Sequence, residues 1–87
     1  MRSYKVTVTA TAGQLIAADN INRVAYINIV GNETIAVGNS AVTFATGLQL
    51  AKHSAPIHID VPLGESLWAI CDTEKTDDVR VLLPDAD

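Results

Sequence analysis

The chain reads as all-β, a small antiparallel β-sandwich or barrel-like domain of seven to eight short strands. Three observations predict it. Short apolar runs alternate at period two. Clusters of Gly, Pro, Asn and Asp interrupt them at roughly ten-residue intervals. No stretch repeats apolar residues at helical spacing for the ten or so positions that would separate a helix from a strand. With 87 residues, roughly 60 to 65% of the unfolded surface is buried on folding, enough for one thin core and one domain spanning 1–87.

The first element is Tyr4 to Ala10, in which Tyr4, Val6, Val8 and Ala10 share one side and Lys5, Thr7 and Thr9 the other, the pattern of a half-buried strand. A turn near Gly13 leads into Gln14-Leu15-Ile16-Ala17-Ala18. The strongest strand is Arg23 to Val30, with Ala25, Ile27 and Ile29 on one face and Val24, Tyr26, Asn28 and Val30 on the other. Apolar residues on both faces place it centrally in a sheet, its second face covered by a loop or a neighbouring subunit.

Gly31-Asn32 is expected to reverse the chain with positive φ, so that Glu33 to Val37 returns beside it. Gly38-Asn39-Ser40 is a second turn, before Val42-Thr43-Phe44. It lacks the Gly-x-Ser-x-Gly order of a nucleophile elbow. Leu48 to Lys52 fits a helical turn or a short strand equally well. Pro56 opens a strand with Ile57, Ile59 and Val61 opposite His58 and Asp60, and Pro62-Leu63-Gly64-Glu65 turns it. Leu67, Ala69 and Cys71 then alternate against Trp68 and Ile70, and Val79, Val81 and Leu83 against Arg80 and Leu82, before Pro84 ends the sheet.

A formal charge of −4, with six basic residues in no run, disfavours contact with a nucleic-acid backbone. No apolar run reaches the length of a membrane helix, and Met1-Arg2-Ser3 opens no signal-peptide core. Synthesis and folding in a cytoplasm are therefore expected. The single Cys71 fits a small buried hydrophobe. His58 and Asp60 face the same way, yet His53 and the absence of a cysteine pair leave no recognised metal spacing. Asp72, Glu74, Asp77 and Asp78 read as solvated turn charges. Ser40 with His53 or His58 makes a triad only on paper. Arg23 and Arg80 are candidates to pair with carboxylates across strands. Of Tyr26, Phe44 and Trp68, one or two are expected to anchor the core.

The series Val37-Gly38-Asn39-Ser40, Thr46-Gly47-Leu48-Gln49-Leu50, Val61-Pro62-Leu63-Gly64-Glu65, Leu67-Trp68-Ala69-Ile70 and Val79-Arg80-Val81-Leu82 resembles small all-β virion surface proteins of tailed bacteriophages, of the head-decoration or head-fibre type. The resemblance implies a capsid decoration protein without enzymatic activity, catalytic residues or cofactor. It would be made in the host cytoplasm and carried on the virion head. Its implied partners are the major capsid protein or another virion protein, and further copies of itself, as a homotrimer matched to a threefold position of the shell. Tyr26, Phe44, Leu48, Leu50 and Trp68 are the expected interface, with residues 1–10 a strand or an arm used in assembly. The alternative is a tail or fibre module that binds a host-surface glycan or receptor.

Overall fold

The computed structural model describes residues 1–50 and 56–84. Lys52, His53, Asp85 and Asp87 therefore lie outside the described residues, with the part of the Leu48–Lys52 alternative beyond Leu50. The rest contains eight strands: β1 (Arg2–Val8), β2 (Gly13–Ile16), β3 (Arg23–Ile29), β4 (Ile35–Gly38), β5 (Leu48–Leu50), β6 (Ile57–Val61), β7 (Leu67–Cys71) and β8 (Asp77–Leu83). They form two antiparallel sheets of four, in the orders β1-β8-β3-β6 and β2-β7-β4-β5. The predicted sandwich is the observed one.

The pairings nest. β1 lies beside β8, β2 beside β7, β3 beside β6 and β4 beside β5, as though one long hairpin with its tip between β4 and β5 had been rolled until β8 met β3 and β7 met β4. This double-sheet arrangement is the jelly-roll order. Every connection except β4–β5 consequently passes from one sheet to the other, which alters two expectations. Gly31-Asn32 does not make a hairpin, because β3 and β4 belong to different sheets. Nor does Gly31 have a positive φ, which among the described residues falls to Gly64 (φ 80°) and Glu74 (φ 63°). Gly31 is instead a space requirement, since a Cβ there would run into the carboxylate of Asp77.

The core between the sheets is aliphatic. Ala25, Ile27 and Ile29 of β3 meet Val79, Val81 and Leu83 of β8 from one side, and Ile16, Ile35, Val37, Ala69 and Cys71 from the other. Neither Tyr26 nor Trp68 enters it; both strands turn their smaller aliphatic residues inward. The aromatic that packs on this core is Tyr4, half-buried, whose hydroxyl donates to the Leu15 carbonyl at 2.6 Å and so ties β1 to β2 across the sandwich. Burial raises its pKa, and Arg2 and Arg23 partly oppose that.

Cys71 is buried as expected, donating its thiol to the Val8 carbonyl at 3.4 Å. Burial, then the charges of Asp77 and Glu33, push its pKa up to about 11. A thiol whose folded pKa lies above its unfolded value contributes stability that is complete below the unfolded pKa and is lost as pH rises through the folded one. The urea midpoint of the wild type is therefore expected to fall between pH 9 and 11 more steeply than that of Cys71→Ala, and equal slopes would refute the assignment.

Candidate functional site

A sheet face is flat and repetitive, so what distinguishes one from another is the side chains its register lines up. On the first sheet, Ser3 of β1 lies opposite Leu82 of β8, Leu82 opposite Tyr26 of β3, and Tyr26 opposite His58 of β6. One row thus crosses all four strands on the outer face. Beside it runs Lys5, Arg80 and Asn28, and on the other flank Val24 stands opposite Asp60. Val24, Tyr26 and Leu82 are exposed by 40%, 45% and 36%, an apolar stripe through the middle of a polar field.

Two hollows flank that stripe. One, of about 290 Å³, is bordered by Ser3, Tyr26, Asn28, Pro56, Arg80 and Leu82. The other, of about 410 Å³, is bordered by Asn22, Arg23, Val24, Asp60 and Pro62. The Tyr26 and His58 rings stand 6.1 Å apart at 54°. His58 and Asp60 do face outward together, as their spacing predicted, but among the described residues no group of three His, Cys, Asp or Glu converges on a metal position. Ser40 sits in the β4–β5 connection of the second sheet and His58 on the outer face of the first, so the two cannot share a proton in a triad.

The second sheet treats its outer face differently. Its β4–β5 connection folds back, with Thr46 N and Gly47 N donating to the Thr43 carbonyl at 3.2 and 2.9 Å, and buries Val42. Gly38 and Gly47 make this possible, since a Cβ on either would press against the Val42 side chain, and one on Gly47 against Ala36 as well. Val42-Thr43-Phe44 is therefore a packed loop and not a strand, and it keeps Ala36 fully buried although Ala36 faces away from the core.

The five expected interface residues are consequently not one surface. Tyr26 is on the outer face of the first sheet. Trp68 is half-buried on the second, its indole N–H donating to Ser66 Oγ at 3.1 Å. Phe44 is half-buried in the β4–β5 loop, and Leu48 is 66% exposed on edge strand β5. Leu50 belongs to the core cluster, opposite Ile35. Residues 2–8 are an edge strand of this chain's own sheet, paired along its length with β8 on one side. Val24, Leu82 and Pro56 were missed beside Tyr26; the parity of Val24 and Leu82 was legible, but only the β3–β8 register brings Leu82 to Tyr26.

Two charged groups also depart from expectation. Asp77 is buried, its carboxylate accepting from Glu33 N at 2.9 Å and Asp78 N at 2.7 Å, where the sequence suggested a solvated turn. Arg23 is 5% exposed and donates to the carbonyls of Ala17 at 2.8 Å and Glu65 at 3.1 Å in place of a carboxylate. It closes the end of the sandwich where the β2–β3 and β6–β7 connections meet, an end also tied by Gly64 N to the Asp19 carbonyl at 2.7 Å. In comparisons with protein-family models, curated proteins and solved structures, nothing matched this chain.

Proposed function

We propose that this protein is a non-enzymatic virion structural protein of a tailed bacteriophage, a decoration protein that binds the assembled head and reinforces it. The observation that carries the reading is the apolar stripe of Val24, Tyr26 and Leu82 on the outer face of the first sheet. A central apolar patch with a polar margin suits burial against another protein, which desolvates the stripe and leaves the charged flanks to set orientation. Each contact is small. Repeated over a shell lattice by a homotrimer at threefold positions, it gains strength through multivalency and adds contact area where shell subunits meet. The resemblance of the strand and turn segments to head-decoration proteins points the same way.

Cosedimentation with undecorated phage heads tests this. Wild-type protein is expected to pellet with the heads, and Tyr26→Asp to bind about 30-fold or more weakly, the loss typical of an aromatic anchor. Trp68→Ser, on the opposite face, should bind as wild type. Failure of the wild type to pellet, or retention by Tyr26→Asp, would overturn the reading.

One observation favours a second reading, a tail or fibre module that binds a host-surface glycan. Tyr26 offers an aromatic platform with Asn28, Arg80, His58 and Asp60 around it, the mixture that stacks a sugar ring and pairs its hydroxyls. Selective, Tyr26-dependent binding to a glycan array without binding to heads would select it.

A further inference from the structure

The core of this sandwich is incompletely covered at two places, and they match each other. Five partly buried hydrophobic residues pack against the core cluster, and four of them, Tyr4, Val6, Ile57 and Ile59, lie on β1 and β6. These are the two edge strands of the first sheet. Among the described residues neither strand has a hydrogen-bonded neighbour on its outer side. An edge strand presents alternate N–H and C=O groups that invite another strand, and proteins usually discourage this with charged side chains, lysine above all, with proline, with a bulge or with a very short strand. β1 has no proline and no bulge and is not short, and the lysine it carries, Lys5, is a side chain that such a pairing uses. The strand is seven residues long, and its pairing with β8 runs from Arg2 to Val8 without a register shift.

We infer that β1 of one molecule pairs with β6 of a second copy, joining their first sheets edge to edge. Direction permits it. β1 and β3 both run antiparallel to β8, and β6 runs antiparallel to β3, so β6 of a neighbour placed beside β1 in the same sense meets it antiparallel. Register supports it too. Setting Lys5 opposite Asp60 sets Val6 opposite Ile59, Tyr4 opposite Val61 and Val8 opposite Ile57, so all five residues of β6 find partners and each inward side chain meets an inward one. On the outer face the basic Lys5 of β1, which stands 4.0 Å from Asp78 of its own chain, then also meets the acidic Asp60 of β6, while a slip of one residue would set inward against outward side chains.

The contact is heterologous, using two different surfaces of each chain, so it closes into a ring when the rotation between copies permits. It leaves the outer face with Tyr26 open, and it is independent of what that face binds.

Sedimentation equilibrium on the free protein, without heads or glycans, over about a hundredfold concentration range tests it, because dissociation then appears as a fall in mean mass. The wild type is expected to form a closed oligomer. Lys5→Asp and Asp60→Lys, both at exposed positions, are each expected to weaken association about tenfold or more by setting like charges together. The double variant carrying both substitutions is expected to restore it. Circular dichroism confirms that each variant is folded. Hydrogen exchange supplies a second readout, since the outward amides of residues 2–8 and 57–61 should lose protection on dilution. A wild type that stays monomeric throughout overturns the inference. So does an oligomer sensitive to only one of the two substitutions, which would indicate β1 pairing with β1 or β6 with β6, or one that the double variant does not rescue.

Discussion

Gly31→Ala is expected to lower the unfolding free energy by about 2–4 kcal/mol, the cost of forcing volume into a packed site and breaking hydrogen bonds to a buried charge. The new methyl would occupy the place of the Asp77 carboxylate, whose Cγ is 2.7 Å from that position. A surface carboxylate would swing aside at little cost. Asp77 is held by Glu33 N and Asp78 N, so moving it strips the cap from the corner between β3 and β4 and from the start of β8 together. Urea unfolding of a double-mutant cycle isolates the cause: Asp77→Ala should itself destabilise, and adding Gly31→Ala to it should cost little more. Equal cost of Gly31→Ala in both backgrounds would mean that the Asp77 carboxylate is not what the methyl displaces.

Arg23→Ala is expected to cost a similar amount, about 2–4 kcal/mol, because it removes two hydrogen bonds from a charged donor, which contribute more than neutral ones, and empties the site of a buried side chain. For a domain of this size that is a fall in Tm of roughly 10–25 °C. Its guanidinium reaches the Ala17 and Glu65 carbonyls on two different connections. Lysine has no fork to span them, so Arg23→Lys should recover less than half of the loss. Arg23→Met keeps most of the volume without the donors, and the difference between the Met and Ala variants in thermal unfolding separates packing from hydrogen bonding. Stability within about 0.5 kcal/mol of wild type in all three would remove Arg23 from the closure of this end.

These two positions also mark where sequence legibility ends. The inward series Ala25, Ile27, Ile29 and Val79, Val81, Leu83 was readable because alternation at period two is a local signal. The fates of Gly31, Asp77 and Arg23 were not, since each is decided by a partner far along the chain: Asp77 reaches Glu33 across 44 residues and Arg23 reaches Glu65 across 42. A turn signal says that the chain bends and not whether it returns within its sheet or crosses to the other. Gly31-Asn32 therefore looked like a hairpin and is a corner. Trp68 was ambiguous for a different reason. Both faces of β7 are apolar, and the loop carrying Val42 shields the second sheet's outer face in a way that no local pattern announces. The stripe at Tyr26 was half legible, its β3 members sharing a parity and its β8 member depending on register.

The nested pairing has a mechanical consequence. Arg2 lies opposite Leu83, so β1 begins where β8 ends. Tension that draws Arg2 and Leu83 apart would open the β1–β8 ladder as a zipper, one rung bearing the force at a time. Tension directed along the strands, pulling β1 past β8, would load all seven rungs together. The same ladder is thus soft to peeling from this end and stiff to sliding of its strands. A sheet held through its outer face transmits lateral strain as sliding, and that is the direction in which this ladder resists most.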